Sequence, residues 1–478
     1  VTWEAVIGLE IHVQLSTRTK MFCGCELSFG DPANTHTCAV CLALPGALPV
    51  ANARAIHFGL MIGLALGCEP APRSIFHRKS YFYPDSPKGY QISQYDEPLC
   101  RGGRLAGVGI HRVHLEEDAA KLVHVGSSGR IHGSDASVVD FNRGGTPLVE
   151  IVTEPELHSP AQVREWLQLL RVTLRRLGVS DVNMDEGSLR CDANVSVRPE
   201  GTEALGTKTE LKNMNSFRFL ERGVTAELER QIGVLEAGGT IEQETLHFDP
   251  RAGSLTSLRS KEEAHDYRYF PEPDLVPIAV TEEMIAAARA ELPELPAARA
   301  ERFEATLGLG AEAARILAYR TDLGDYFERA LAYDGQAGDD AQSLANWVTG
   351  ELVARLGEED PGESKVEPRA LADLVGMVRS RALTQGAAKQ VLDRLVAEGG
   401  DPAAIVESQG LGAMGDGDEL ETAVAAAIDA NADAAEKVRS GNAKAIGAIV
   451  GHVMRETRGR ADGGEVTRLI REQLGGGA

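Results

Sequence analysis

The stretch VIGLEIHVQL, Val6 to Leu15, decides how this chain is to be read. Ile7, Leu9, Ile11 and Val13 fall on one side of an extended strand; Glu10, His12 and Gln14 fall on the other. The pattern recurs between positions 189 and 197. There Leu189, Cys191, Ala193, Val195 and Val197 alternate with Arg190, Asp192, Asn194 and Ser196. A third stretch, 207 to 213, sets Lys208, Glu210 and Lys212 on one side. A half-buried strand needs one apolar face, and any solvated mixture serves for the other. Acids interleaved with His, Asn, Arg and Lys point instead to a sheet floor suited to a hard divalent cation and phosphate.

Working outward, 478 residues are too many for one core and predict two to four domains. A charged fraction of 25% within an aliphatic-rich composition describes an ordinary globular protein. The net charge of -22 argues against binding nucleic acid with the whole surface, although a local basic patch is compatible with it. No secretory signal reads in positions 1 to 20, where the acidic strand pattern sits. The most apolar stretch, 47 to 68, is interrupted by Asn52, Arg54 and His57, which argues against a membrane span. Seven cysteines is an odd number, and four crowd one segment, so no disulfide framework is expected and the chain reads as cytoplasmic.

The first part, 1–294, mixes short alternating runs and Gly-Pro turns with two one-sided helices. One is capped by Ser159, with Pro160 first, and carries Val163, Trp166, Leu170, Leu174 and Leu177 up to Gly178. The other starts at Ser216 and carries Phe217, Leu220, Val224, Leu228, Ile232 and Leu235 before Gly238. Strands followed by single helices favour an α+β fold. From about residue 295 the chain is Ala-, Leu- and Glu-rich with helical spacing. Breaks at 399–402 and 412–418 divide it into a helical domain, 295–405, and a tail domain, 406–478.

Candidate chemistry follows from these patterns. Glu10 and His12 sit side by side on one strand, Asp192 and Glu210 come from two others, and Glu150 lies inside the apolar run PLVEIV. A carboxylate inside an apolar stretch is costly without a cation, and carboxylates with one imidazole suit Mg²⁺ or Mn²⁺ better than Zn²⁺. Structural ion pairing with nearby Arg and Lys is the competing explanation for each acid. In HLEEDAAK, Glu116 shares a face with Arg112 and His114, and Glu117 falls on the other face unless the strand ends or bulges between them. Alternation alone leaves both open. No phosphate-binding Gly-rich loop is present, so ATP would need scattered cations. Candidates are Arg78, Lys79, Lys88, Arg190, Lys208, Lys212, Arg259, Lys261 and Arg268, although for each one alone a solvated surface charge is the stronger reading. Cys23 and Cys25, then Cys38 and Cys41, match a tetrahedral structural Zn²⁺ site, with free buried thiols as the alternative. Lys437, Arg439, Lys444, Arg455 and Arg458, followed by Arg460, Arg468 and Arg471, make the one net-basic region, readable as a charged helix surface or as an RNA-phosphate contact.

Long strings at these residues resemble the B subunits of the heterotrimeric aspartyl/glutamyl-tRNA amidotransferases. They include VIGLEIHVQLSTRTKMFC at 6–23, YFYPDSPKGYQISQYD at 81–96, HLEEDAAK at 114–121 and DFNRGGTPLVEIVTEPE at 140–156. They continue with DEGSLRCDANVSVRP at 185–199, GTKTELKNMNSFR at 206–218, RSKEEAHDYRYFPEPDL at 259–275 and SGNAKAIGAIVGHVM at 440–454. The resemblance implies an antiparallel-sheet cradle of glutamine synthetase type, a helical domain, and a small helical tail that contacts tRNA. It implies ATP-dependent phosphorylation of the side-chain carboxylate of mischarged Asp-tRNA(Asn) or Glu-tRNA(Gln), then displacement of phosphate by ammonia. Carried over residue by residue, it implies Mg²⁺ ligands at Glu10, His12, Glu117, Glu150, Asp192 and Glu210, favouring Glu117 over Glu116. No amidase segment reads in the chain, so a glutaminase A subunit and a small C subunit are the implied partners. An ATP-dependent ligase of a free small molecule and a non-catalytic tRNA-binding scaffold are the competing readings.

Overall fold

The computed structural model describes residues 2–125, 134–212, 214–249, 252–259, 267–333, 341–357, 359–414, 418–440 and 442–475. It consists of two compact units, Val1–Leu295 and Pro296–Ala478. The architecture is mixed α and β, as the alternating strand and helix patterns predict.

The first unit is organised by one large sheet. Its strands and their neighbours are β1 (Trp3–Gln14), β2 (Glu69–Pro70), β3 (His77–Ser80), β4 (Tyr90–Ser93), β5 (Cys100–Arg101) and β6 (Val108–Glu117). They continue with β7 (Pro147–Thr153), β8 (Leu189–Pro199), β9 (Thr209–Lys212), β10 (Thr245–Asp249) and β11 (Ser254–Arg259). The sheet runs β11-β10-β9-β8-β1-β7-β6-β5-β2, antiparallel except where β9 meets β10. β3 and β4 pair with each other in a small separate sheet. β1 is central because it pairs along nearly all of one edge and along the C-terminal part of the other. It matches β8 from Trp3↔Pro199 to Val13↔Leu189, and β7 from Glu10↔Val152 to Gln14↔Leu148. Ile7, Leu9, Ile11 and Val13 are all fully buried, each contributing about 1.5–3 kcal/mol of apolar burial.

Helices α1 (Ala53–Ala65), α2 (Pro160–Leu177) and α3 (Phe217–Glu236) belong to this unit: α1 packs on β6, α3 on β8, and α2 against both helices. The predicted boundaries hold closely. Ser159 Oγ accepts from Gln162 N and Gly178 ends α2 in the left-handed conformation, where glycine has no Cβ to clash. Ser216 caps α3 through Phe219 N. The buried stripe of α3 differs from the predicted one. Leu228, Ile232 and Leu235 are half-buried, while Glu227 and Gln231 are fully buried. The reason is a polar network: Glu227 accepts from Thr209 Oγ1 at 2.7 Å and from Arg230 at 2.8 and 2.9 Å, and Gln231 donates to the Val195 carbonyl at 3.0 Å. Hydrogen bonds to β8 and β9 thereby turn a polar face of the helix inward.

In the second unit, Phe303, Leu317, Phe327, Leu344, Trp347, Leu371, Val391 and Leu392 belong to one apolar cluster. Leu420, Val424, Ile449, Val453, Val466 and Ile470 belong to another, built by the helices Asp418–Ala430, Ala432–Arg439, Ile446–Glu456 and Gly463–Gln473. Among the described residues no helix is long and apolar enough to cross a membrane.

The close approach of α1 to the sheet depends on its glycines. A Cβ on Gly59 would lie 2.6 Å from Leu99 Cδ2, and one on Gly63 would overlap Cys100 Sγ. Gly63→Ala is expected to destabilise the first unit by about 1–3 kcal/mol in urea unfolding, the usual cost of overpacking. Cys100→Ala in the same chain should recover part of that loss by making room.

Candidate active site and metal centre

Strand register turns distant sequence segments into rows on the polar face. His114, Glu150, His12 and Arg190 stand opposite one another across β6, β7, β1 and β8. The next row holds Arg112, Val152, Glu10 and Asp192. Asn194 faces Gly8 on one side and Glu210 on the other. Glu10, His12, Glu150, Asp192 and Glu210 therefore share one face of one sheet, and side chains of neighbouring strands stand about 5 Å apart there.

The tightest grouping is centred on His12. Its Nε2 lies 3.2 Å from Glu150 Oε2 and 3.6 Å from Glu116 Oε1. His114 Nε2 lies 3.6 Å from the same two oxygens, and Arg112 approaches Glu150 Oε1 at 3.5 Å. Glu116 and Glu150 are both buried, and Glu116 Oε1 has no hydrogen-bond donor among the described residues. Burial disfavours the His12 imidazolium, but the Glu150 hydrogen bond and the charges of Glu150 and Glu116 outweigh it, placing its pKa at about 9. Burial likewise disfavours the Glu150 carboxylate, yet His114 and His12 hold its pKa well below the usual value. One imidazole nitrogen and two carboxylate oxygens, one of them orphaned, make a donor set for a hard cation. The three ligand atoms all lie within 4.8 Å of one another.

The resemblance favours Glu117 as ligand, whereas the grouping around His12 contains Glu116. β6 stays in register with β7 through Leu148↔Glu116 and Pro147↔Glu117 without a bulge between the two acids, so Glu116 keeps the His114 face. Glu117 turns the other way, where Oε1 accepts from Ile92 N at 3.0 Å and from Lys88 Nζ. The other acids are neutralised locally. Glu10 accepts from Asn194 Nδ2 at 2.9 Å, and Lys212 Nζ bridges Asp192 at 3.0 Å and Glu210 at 2.8 Å. Burial works against the Lys212 charge, yet Asp192 and Glu210 raise its pKa.

A cavity of about 210 Å³ adjoins this face and is lined by His12, Lys79, Lys88, Glu117, Asp118 and Arg190, with Tyr81 and Tyr267 among its walls. Lys79 Nζ lies 4.6 Å from the Tyr267 ring centre. Burial disfavours its charge, but Glu116 and other neighbours raise its pKa overall. Arg190 bonds Asp118 Oδ2 at 2.9 Å, an oxygen that also accepts from Gln14 at 2.7 Å. Asp118 and His114 were not singled out as site residues, although His114 shares the alternation that marks Glu10 and His12. Arg78, among the phosphate candidates, has its guanidinium paired with Glu272 at 2.6 and 2.8 Å and with Asp274 at 3.1 Å. Lys208 and Arg268 are exposed and do not line this cavity. Arg259 ends β11 opposite Thr245, and Lys261 falls outside the described residues.

The four cysteines do converge. Cys41 Sγ lies 4.0 Å from Cys25 Sγ and 3.9 Å from Cys38 Sγ, and all four sulfurs are within 4.8 Å of one another. Sulfurs bound at about 2.3 Å around a tetrahedral zinc sit about 3.8 Å apart, so the loop fits such an ion. A hydrogen bond from Cys23 lowers the Cys41 thiol to about 4, whereas burial raises Cys25 to about 11. In the second unit, Lys437, Arg439, Lys444, Arg455 and Arg458 are all exposed. Arg468, by contrast, is spent on Glu465 and Glu472, and Arg460 on Glu419.

From this geometry, Glu116→Gln is expected to weaken Mn²⁺ binding about tenfold, read by paramagnetic resonance titration of the full chain. Loss in Glu117→Gln, with Glu116→Gln unchanged, would place the ion against Lys88 instead.

Comparison with known proteins agrees over both units. Residues 5–286 match the GatB/GatE catalytic domain and residues 325–474 the GatB domain. The chain is 48% identical over 482 residues to the B subunit of the aspartyl/glutamyl-tRNA(Asn/Gln) amidotransferase of Moorella thermoacetica, covering 99% of this chain and 100% of that one. The protein of the same name from Thermobifida fusca is 48% identical over 492 residues, covering 99% and 94%. That from Geobacter sulfurreducens is 46% identical over 484 residues, covering 99% and 100%. The chain belongs to the family of aspartyl/glutamyl-tRNA(Asn/Gln) amidotransferase B subunits.

Proposed function

We propose that this chain is the kinase and amide-forming component of a tRNA-dependent amidotransferase. In this reading it activates the side-chain carboxylate of Asp-tRNA(Asn) or Glu-tRNA(Gln) with ATP and exchanges the resulting phosphate for ammonia. The observation that carries the reading is the row His114, Glu150, His12 and Arg190 beside Glu10 and Asp192 on one sheet face, opening on a cavity that holds Lys79 and Lys88.

The chemistry explains the composition of that face. A carboxylate is a poor acyl donor because its oxygen leaves badly and its charge repels nucleophiles; joining it to a phosphoryl group removes both defects. A divalent cation held by His12, Glu116 and Glu150, with Glu10, Asp192 and Glu210 close by, would supply neutralisation of the phosphate oxygens. Arg190 is fixed by Asp118 and lines the cavity, so its remaining N–H groups are oriented for a phosphoryl oxygen. Lys79, half-buried near Glu116 and the Tyr267 ring, adds positive charge where negative charge accumulates. Lys212 bridges Asp192 and Glu210 and would release them to a nucleotide-bound ion. The acyl phosphate so formed must be kept from water until ammonia arrives.

The remaining parts belong to the same reading. The sheet is the floor of a cradle of glutamine synthetase type, zinc braces the cysteine loop, and the tail domain takes tRNA phosphate on Lys437, Arg439, Lys444, Arg455 and Arg458. A glutaminase A subunit and a small C subunit supply ammonia and clamp the complex, in the cytoplasm.

Two outcomes are expected from the assembled complex assayed with ATP, Mg²⁺, glutamine and mischarged tRNA. Asp192→Ala should lower amide formation about a hundredfold or more, the scale of losing a pre-organised charge in a dry site. Reversing Lys437, Lys444 and Arg455 to Glu should raise KM for tRNA about tenfold or more while leaving kcat near its parent value, because phosphate contacts position the substrate without touching the reacting carboxylate. A chain insensitive to both sets of changes would be neither the kinase nor the tRNA-binding component.

A further inference from the structure

We propose that Lys20 is the buried counter-charge of the four-cysteine loop, offsetting the negative charge that the sulfurs carry around a bound metal ion. The inference rests on the reading of that loop as a zinc site. Lys20 is 1% exposed, among the most deeply buried large side chains of the chain. Its Nζ donates to the Phe141 carbonyl at 3.0 Å, a neutral partner, and no carboxylate lies within 4.0 Å of it among the described residues. An ammonium removed from water with only a carbonyl for company is strongly unfavourable, so an anion must be near.

Among the described residues that line its cavity, the cysteines are the remaining source. Lys20 lines a cavity of about 100 Å³ together with Cys23 and Cys41, and the carboxylates in that wall, Glu117 and Asp274, are taken by Lys88 and Arg78. Its backbone N–H donates to the Cys25 carbonyl at 3.0 Å, so the residue is tied to the loop it faces. Its stem packs on Gly145, at φ +88°, where a Cβ would lie 3.4 Å from Lys20 Cδ and 3.9 Å from Cys41 Cβ. Four thiolates around a divalent ion keep a double negative charge. A fixed ammonium in the same cavity wall as Cys23 and Cys41 offsets part of it and makes the bound sulfurs weaker nucleophiles. Lys20 is thus a positioning residue for the ion rather than a ligand.

The test uses the full-length chain carrying Lys20→Met, Lys20→Gln or Lys20→Arg, loaded with zinc. Metal content, the rate of zinc transfer to a chromogenic chelator and the rate of iodoacetamide alkylation at the four cysteines are measured, with thermal melting as the control for folding. Lys20→Gln keeps a donor for the Phe141 carbonyl but no charge, so it separates charge from packing even where Lys20→Met fails to fold. The parent should retain one zinc, both neutral variants should lose it and alkylate about tenfold faster, the scale of losing a partner outside the ligand shell, and Lys20→Arg should stay near the parent. A zinc-loaded parent whose neutral variants release metal and alkylate at the parent rate overturns the role of Lys20 alone. A parent that takes up no zinc overturns the reading of the loop and the role of Lys20 with it.

Discussion

Everything in the first unit depends on the pairing of β1 with its two neighbours. Because side chains alternate with a strict period of two, a slip of one residue in either pairing would turn Glu10 and His12 into the core and Ile7, Leu9 and Ile11 into water. The buried aliphatic face makes that slip prohibitive, and β8 reads the same register over the full length of the strand. Burial on one face thereby fixes charge geometry on the other. No loop is needed to bring residues 10, 12, 114, 150, 190 and 192 together; hydrogen bonding between strands does it.

That polar face is held at a cost in stability. Two buried carboxylates, Glu116 and Glu150, share two imidazoles and one guanidinium, and Glu116 Oε1 is left without a donor among the described residues. His12 gains a proton under these conditions because the carboxylates demand a positive charge. A proton and a divalent ion therefore meet the same electrostatic need at the same place, which is the physical sense in which the site suits a cation. The cysteine loop repeats the theme with softer ligands: sulfurs crowd at tetrahedral spacing around a common point.

The sequence makes the local part of this arrangement visible and hides the non-local part. Alternation in β1 and β8, the caps Ser159 and Ser216, and the cysteine spacing are all properties of contiguous residues, and all appear where periodicity and capping chemistry put them. Which of Glu116 and Glu117 shares the His114 face depends on the register of β6 against β7, which no single strand records. Arg78 reads as a free cation until Glu272, 194 positions away, is found against it. Lys212 between Asp192 and Glu210, and the inward turn of Glu227 and Gln231 on α3, come from pairing across the sheet and not from helical or strand period.

If the polar face joins a phosphoryl group to the amino acid carried by tRNA, one oxygen of that side-chain carboxylate must leave with the phosphate. The direct measurement uses Asp-tRNA(Asn) or Glu-tRNA(Gln) labelled with ¹⁸O in the side-chain carboxylate, turned over by the assembled complex with ATP and an ammonia source. Inorganic phosphate carrying one ¹⁸O atom for each amide formed is the expected result. Amide formed with unlabelled phosphate would contradict the transfer and remove the reason for gathering these acids on one sheet.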